Sequence, residues 1–176
     1  MTQSLTPTLP APARPASPVR RRYRFGRTTR KVVLTTHILT AAGWFGIAVL
    51  IAAAVVSAGA TRDLTLKTVL YRAVVDAIWI SVPMGVTALV TGVLLGIGTV
   101  WGVFQHWWVV AKLAINVAVT VTDLVLVRPV AAHALATGIA SRPIYGATIA
   151  HCVVLTIATT LSVFKPWGRT RWGSRR

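Results

Sequence analysis

The stretch VVLTTHILTAAGWFGIAVLIAAAVVS, residues 32–57, contains no charged residue and is mostly apolar. It is longer than the ~20 residues that a membrane-spanning helix needs, whereas a secretory signal has an apolar core of only about 7 to 15 residues. It follows the basic segment RRRYRFGRTTRK, residues 20–31, and three further apolar runs follow it. We therefore interpret it as a retained membrane anchor, and it places the chain among membrane-spanning helical proteins.

Three more runs reach or approach the length of a spanning helix. The second run contains Pro83, where we expect a kink, and Pro143 opens the fourth run, which suits a first helical turn. The three runs extend over about residues 74–100, 106–128 and 143–165. The sequence thus predicts an all-α fold, a bundle of four transmembrane helices whose termini lie on the same side of the membrane.

Basic residues are concentrated at the two ends of the chain. The sequence holds 19 Lys and Arg residues but only 3 Asp and Glu residues. Eight of the basic residues precede position 32, and five follow position 164. The first and third loops are expected to carry Arg62, Lys67, Arg72, Arg128 and Arg142. Because basic residues favour the cytoplasmic side, we expect both termini in the cytoplasm and a multi-pass protein of the bacterial cytoplasmic membrane.

The predicted domain organisation has three parts. Residues 1–30 form a Pro-rich and then basic cytoplasmic arm without ordered structure, since the first 19 residues contain five prolines and no hydrophobic periodicity. Residues 31–166 form the membrane domain, and residues 167–176 form a basic cytoplasmic tail. The arm is expected to bind anionic lipid headgroups. Nucleic acid is the alternative partner, but we do not expect it because the basic residues flank an apolar body and are not spread over a folded surface.

Two ionisable residues lie inside apolar runs at the same predicted depth. His37 is about six residues from the inner end of the first span, and Lys112 is about six residues from the inner end of the third. Trp44 shares a helical face with His37, and Asn116 shares one with Lys112. Charged groups are costly in lipid, so both faces should point into the bundle. The candidate cofactor-binding residues are His37, Lys112, Trp44 and Asn116.

Two interpretations of these residues stay open. In the first, the imidazole and ammonium groups hold an anionic ligand, or His37 ligates a metal in a macrocycle such as haem b. In the second, Lys112 extends to the membrane interface and His37 bonds a helix carbonyl. The single cysteine, Cys152, excludes a multi-Cys metal site. No arrangement for nucleophilic or hydrolytic catalysis is evident, so the sequence assigns no reaction.

A second polar group is expected in the outer half of the bundle. Asp76, Asp123 and His151 have similar predicted depths, which would permit a proton relay or a weak metal site. Structural pairing is the alternative: Arg72 stands four residues before Asp76 and can pair with it along the helix, and His151 can bond Asp123.

Small residues recur every four positions in the second span, at Ala88, Gly92 and Gly96. This spacing allows close approach of a neighbouring helix. We expect it to serve packing within the bundle, with homo-oligomer formation through the same residues as the alternative.

The polar and aromatic positions also resemble those of known membrane families. The pattern consists of His37 with Trp44, Phe45 and Gly46, then Pro83 with Thr91 and Gly92, then WGVFQHWWVVAK from Trp101 to Lys112. Over about residues 30–166 it resembles an uncharacterised family of small four-helix membrane proteins, a domain of unknown function common in actinobacteria. More distantly, it is similar to the copper-resistance D membrane family and to the J-type protoporphyrinogen oxidase family.

The resemblance to the J-type oxidases implies that His37 is a haem b ligand and that Lys112 is needed in the site. One position departs from that pattern, because the oxidases tend to have a histidine two residues before the lysine, where this chain has Val110. The expected function is therefore binding of haem or a metal-containing ligand between the first and third spans. A non-catalytic membrane scaffold or partner protein is the alternative, and a small transporter is the third possibility.

Overall fold

The structure is a computed structural model that describes residues 25–98, 105–164, 168 and 170. Within these residues the fold is all-helical and no β-strand occurs. The four long helices are α1 (Arg27–Ala60), α2 (Leu64–Gly98), α3 (Trp107–Thr137) and α4 (Pro143–Phe164). Each is long and apolar enough to cross a membrane. The predicted all-α class with four potential spans is confirmed.

The helices form a ring in which neighbours in sequence are neighbours in space. α1 packs against α2 and α4, and α3 also packs against α2 and α4, so α1 and α3 face each other across the bundle. The outward faces are apolar: Trp79 is 60% exposed and Val125 is 70% exposed. A bundle in water would place polar residues there, so these faces suit contact with lipid.

The interior has two main apolar layers. The layer nearer the α1–α2 and α3–α4 loops is formed by Ile51, Val55, Val74, Ile78, Val127, Ala131 and Ile144. The middle layer is formed by Trp44, Ala48, Val119 and Leu155. Towards the opposite end, which holds the start of α1 and the end of α2, the helices leave a cavity.

The start of α2 differs from the prediction. We expected the second span from about Val74, but the helix begins at Leu64, so Lys67 and Arg72 belong to its first turns and not to the loop. The reason is local capping: Oδ1 of Asp63 accepts hydrogen bonds from the backbone N–H groups of Thr65 at 2.8 Å and Leu66 at 3.3 Å. A carboxylate in this position satisfies amides that would lack a partner in the first helical turn.

The end of α3 also differs from the prediction, which placed it near Arg128 and Pro129. The helix continues to Thr137 through a π-helical turn at Asp123–Val127. A proline within an α-helix lacks a donor and clashes with the carbonyl four residues earlier. The wider turn, in which the Arg128 N–H donates to the Asp123 carbonyl, accommodates Pro129 without ending the helix.

Other predicted boundaries agree more closely with the structure. α4 begins at Pro143 and extends to Phe164, so the predicted fourth span is confirmed. Pro83 lies inside α2 as expected. α1 begins at Arg27, so the last residues of the predicted arm are helical. Most of the arm, residues 1–24, and nearly all of the tail lie outside the described residues.

Candidate functional site

A cavity of about 710 Å³ lies among the four helices. This is within the ~300 to 1,000 Å³ typical of small-molecule and cofactor sites. Its wall is mostly apolar and includes Leu34, Ile38, Phe45, Leu89, Leu95 and Leu113. Three of the four predicted cofactor-binding residues also line it, namely His37, Lys112 and Asn116. The structure therefore brings the two central ionisable residues, which we predicted at one depth, into one cavity.

The His37 ring is oriented by α2. Its Nδ1 atom lies 3.0 Å from the Ala88 carbonyl oxygen and 3.0 Å from Oγ1 of Thr91. A carbonyl oxygen only accepts hydrogen bonds, so Nδ1 carries the proton and Nε2 of the neutral ring keeps a lone pair. Among the residues that the structure describes, none forms a hydrogen bond with Nε2. The carbonyl contact expected for a structural histidine is thus present, and it leaves the other nitrogen available to a ligand.

The small residues of α2 make room for this ring. Ala88, Gly92 and Gly96 all line the cavity. A Cβ atom added at Gly92 would lie 3.2 Å from Cε1 of His37. The small residues of α2 therefore allow His37 to approach the α2 backbone, in agreement with their predicted role in packing within the bundle.

Lys112 brings a cation to the α3 side of the cavity. Its Nζ atom lies 5.7 Å from the centroid of the Trp108 ring, one helical turn earlier, in a cation–π arrangement. Arg30 of α1 lines the same cavity. Two basic side chains and no acidic one are thus found among the described residues of its wall, which favours a ligand with a negative charge.

Asn116 contributes an oxygen without a protein partner. Its Nδ2 atom donates a 3.2 Å hydrogen bond to the Gly85 carbonyl, while its Oδ1 atom is buried and has no hydrogen-bond partner in the described part of the chain. Unsatisfied buried oxygens of this kind are uncommon. Asn116 therefore lines the cavity while its Oδ1 atom is enclosed by the surrounding helices.

Helix α4 supplies hydroxyl groups that the sequence analysis missed. Thr156, Thr159, Thr160 and Ser162 line the cavity. Each hydroxyl donates to the carbonyl four residues earlier, at 2.8 to 2.9 Å. They therefore keep acceptor capacity but have no free donor. Their clustering on one face of the last span was the sequence signal for this wall.

Trp44, the fourth predicted cofactor-binding residue, does not line the cavity. Its indole is buried in the middle layer and Nε1 donates a 3.0 Å hydrogen bond to Oγ of Ser81. Ser81 donates in turn to Oδ2 of Asp123 at 2.9 Å, and Oδ1 of Asp123 lies 3.1 Å from Nδ1 of His151. These four residues, one from each helix, form a buried network that we call the interhelical network.

The structure brings together only two of the three residues that were predicted to form the outer polar group, Asp76, Asp123 and His151. Asp123 and His151 meet, as the pairing alternative expected. Asp76 is not part of the network: it is exposed and accepts a 3.1 Å hydrogen bond from Nε of Arg72. Ser81 was missed because a serine within an apolar run gives no signal of its partner on another helix.

The described residues contain no cluster of three or more His, Cys, Asp or Glu side chains that would hold a metal ion. Comparison with known proteins gives no match to any family model, curated protein or solved structure. The class of protein therefore follows from fold and site alone. The described part of the chain is an all-helical bundle with four helices suited to crossing a membrane, a partly open cavity and a buried interhelical network.

Proposed function

We propose that this protein binds haem b, or a similar anionic metal macrocycle, in the cavity between α1 and α3. The observation that carries the proposal is the His37 ring, whose Nδ1–H is held by the Ala88 carbonyl while Nε2 has no partner among the described residues. Histidines that ligate metals usually donate the other ring N–H to a carbonyl or carboxylate, which fixes the tautomer and the ring orientation.

The remaining wall fits the same group. The cavity volume of about 710 Å³ suits a cofactor, and the apolar side chains suit the faces of a macrocycle. The Lys112 ammonium and the Arg30 guanidinium would receive the carboxylates of its propionates. In the described wall His37 is the only imidazole, and neither methionine nor cysteine is present, so His37 would be the single protein ligand from that set.

The chain's own residues would bind, orient and shield this group. His37 would supply the ligand nitrogen, and Gly92 would let the ring stand close to α2. The leucine and phenylalanine side chains of the wall would exclude water. A bound haem supplies an iron centre whose redox potential and ligand access depend on such surroundings.

Titration of the purified full-length protein with Fe(III) protoporphyrin IX, followed by absorbance in the Soret region, tests this proposal. We expect wild-type protein to bind haem and His37→Ala to lose affinity by more than the roughly 10- to 100-fold typical of an outer-shell change at a metal site. His133→Ala is the matched control, because His133 is exposed at the end of α3. It should bind haem as the wild type does.

Binding of metal-free protoporphyrin IX distinguishes the role of His37 as an iron ligand from the role of Lys112 as a cation for the propionates. If His37 ligates the iron, His37→Ala should weaken binding of the iron form much more than of the metal-free form. Lys112→Met should weaken both, since methionine has similar bulk and no charge, while Lys67→Met at the start of α2 should affect neither. Wild-type protein that binds neither form, or His37→Ala protein that binds haem as well as the wild type, would contradict the proposal.

A non-catalytic membrane scaffold is the second candidate. The interhelical network favours it, because Trp44, Ser81, Asp123 and His151 connect all four helices whether or not the cavity holds a ligand. This alternative would be preferred if the wild-type protein failed to bind haem and His37→Ala changed only thermal stability.

For the membrane itself, we infer a multi-pass protein of the bacterial cytoplasmic membrane with both termini in the cytoplasm. The concentration of basic residues at the ends of the chain supports this orientation. Thirteen basic residues lie before position 32 or after position 164, whereas five lie at the other end of the bundle, namely Arg62, Lys67, Arg72, Arg128 and Arg142.

A further inference from the structure

Arg128 is a basic residue on the outer surface of the helical bundle. It directly follows the π-helical turn of α3, and its guanidinium lies 4.6 Å from the centroid of the Trp79 ring on α2. The surrounding surface is apolar and accessible, since Trp79 is 60% exposed and Val125 is 70% exposed. A helical bundle that crosses a membrane turns such a surface towards lipid. The guanidinium therefore lies on a face that contacts the membrane.

No acidic side chain of the protein pairs with this cation. The chain has three acidic residues, and the structure describes all of them. Asp63 caps α2, Asp76 pairs with an arginine one turn earlier, and Asp123 belongs to the interhelical network. The guanidinium of Arg128 forms no hydrogen bond or ion pair with the described residues, and its Nε atom is buried. A charge without a partner is costly in lipid, so an anion from outside the chain would stabilise it.

The depth of Arg128 in the membrane indicates the kind of anion. Val127, the residue before it, packs in the same apolar layer as Ile144, the second residue of α4. Helix α4 has 22 residues, or roughly 33 Å at about 1.5 Å per residue, which is close to the ~30 Å thickness of the hydrocarbon core. Both ends of α4 are therefore near a membrane interface, and Arg128 lies at the depth of its first turn. The anions that a bilayer holds at this depth are lipid phosphates.

The two side chains suit a phosphate. A guanidinium can donate two parallel hydrogen bonds to phosphate oxygens, and stacking on an aromatic ring leaves the donors at its edge accessible. Because Nε of Arg128 is buried, the two Nη atoms would donate these bonds. Tryptophan is enriched at membrane interfaces, where one part of its ring contacts apolar groups and the other contacts polar ones. Trp79 would therefore orient the guanidinium and contact the glycerol region of the same lipid.

The neighbouring charges favour a headgroup that has no cation of its own. Arg72, Asp76 and Trp79 share one face of α2, because they are spaced at i, i+4 and i+7. The charges of Arg72 and Asp76 cancel in their ion pair, so Arg128 gives this face a net charge of +1. A zwitterionic headgroup would bring an ammonium group beside the two arginines, whereas a glycerol headgroup would not.

We propose that Arg128 and Trp79 bind the phosphate of an anionic phospholipid in the leaflet next to the α1–α2 and α3–α4 loops. The Nη atoms of Arg128 donate to the phosphate oxygens, and the lipid acyl chains lie along the apolar face that includes Val125. The site is separate from the cavity and does not depend on which ligand the cavity binds. It also lies at the opposite end of the helices from the basic arm.

Photolabelling of the full-length protein in detergent tests the proposal at the site itself. The probe is phosphatidylglycerol with a photoreactive group near its glycerol backbone, and peptide mass spectrometry locates the label. We expect label within residues 76–80 or 124–130, and unlabelled phosphatidylglycerol should compete about tenfold better than phosphatidylcholine with the same acyl chains. Label on the basic arm is mapped separately and does not affect this measurement.

Two arginines at the same end of the bundle give a matched pair of variants. Arg128→Gln should reduce labelling of the site about tenfold, the effect of losing a charge-assisted hydrogen bond. Arg142→Gln is the control, because Arg142 is exposed in the loop before α4, and its labelling should equal that of the wild type. Arg128→Lys keeps the charge but not the planar fork, so it should keep the fold and lose part of the labelling.

Thermal unfolding distinguishes lipid binding from a structural role. Arg128 forms no hydrogen bond through its guanidinium in the described part of the chain, so Arg128→Gln should lose little stability without added lipid. Added phosphatidylglycerol should raise the Tm of the wild type and of Arg142→Gln more than that of Arg128→Gln. Equal labelling of Arg128→Gln and the wild type, equal competition by the two lipids, or an equal rise in Tm would overturn the proposal. Absence of label at this face in the wild type would also overturn it and would favour a carboxylate of a partner protein.

Discussion

Ser81 donates a hydrogen bond of 2.9 Å to Asp123 across the contact between α2 and α3, and its oxygen also accepts the indole N–H of Trp44. One hydroxyl therefore satisfies a buried carboxylate oxygen and a buried ring donor. Both partners lie in the middle of the bundle, where water has little access. The serine side chain is small, but its position makes it the link between three helices.

Replacement of Ser81 by alanine should destabilise the bundle by about 1–3 kcal/mol, because it leaves buried polar groups without a partner. The measurement is unfolding of the detergent-solubilised protein. Ser57→Ala is the control, since Ser57 is exposed on α1 and should change stability by less than about 0.5 kcal/mol. Equal stability of the two variants would show that the network contributes little.

Replacement of Gly92 by alanine should weaken haem binding, because the added methyl group would lie 3.2 Å from Cε1 of His37, and the ring would have to shift by a few tenths of an ångström away from α2. Gly46→Ala is the matched control in α1, where an added Cβ meets nothing within 4 Å. That variant should bind haem normally and gain roughly 0.5–1 kcal/mol of stability from the helix preference of alanine. Unchanged haem affinity in Gly92→Ala would show that close approach of the His37 ring to α2 is not needed for haem binding.

Reporter fusions should place residues near 62 and 140 outside the cytoplasm and both termini inside it. The reason is the thirteen basic residues before position 32 or after position 164, compared with five at the other end of the bundle, Arg62, Lys67, Arg72, Arg128 and Arg142. Fusions at positions 62 and 176 should give opposite signals. A fusion at position 176 with the external signal would contradict the inferred topology.

A peptide of residues 12–31 should bind vesicles that contain anionic lipid and ignore zwitterionic ones. Each basic residue near the surface contributes roughly 1 kcal/mol, and salt should weaken the binding. The measurement is vesicle sedimentation at low and high salt. The same peptide with Arg20, Arg21 and Arg22 replaced by glutamine should bind less. Strong binding to DNA without binding to anionic vesicles would favour a nucleic-acid partner.

The number and class of the helices could be predicted because apolar length is a local property of the sequence. The α2 boundary was missed because Lys67 and Arg72 read as loop charges, whereas capping by Asp63 allows the helix to begin before them. The α3 boundary was missed because Pro129 usually ends a helix, and the π-helical turn that accommodates it has no simple sequence signature.

Part of the candidate site could likewise be predicted. His37 and Lys112 stood out because ionisable residues are rare within spans, and helical spacing placed Asn116 beside Lys112. The position of Trp44 could not be read in the same way. A heptad places it on the face of His37, but its indole N–H finds a partner on α2, and that choice depends on packing between helices.

The π-helical turn also changes how the sequence of α3 must be aligned. The buried positions Val119, Asp123, Val127 and Ala131 follow one another at intervals of four. In an uninterrupted α-helix each such step drifts by about 40°, so three steps would carry the last position about 120° around the helix. The wide turn absorbs this drift with one additional residue. A relative with a regular α-helix here would show a one-residue gap between the counterparts of Asp123 and Pro129, and alignment without that gap would pair lipid-facing positions with core positions.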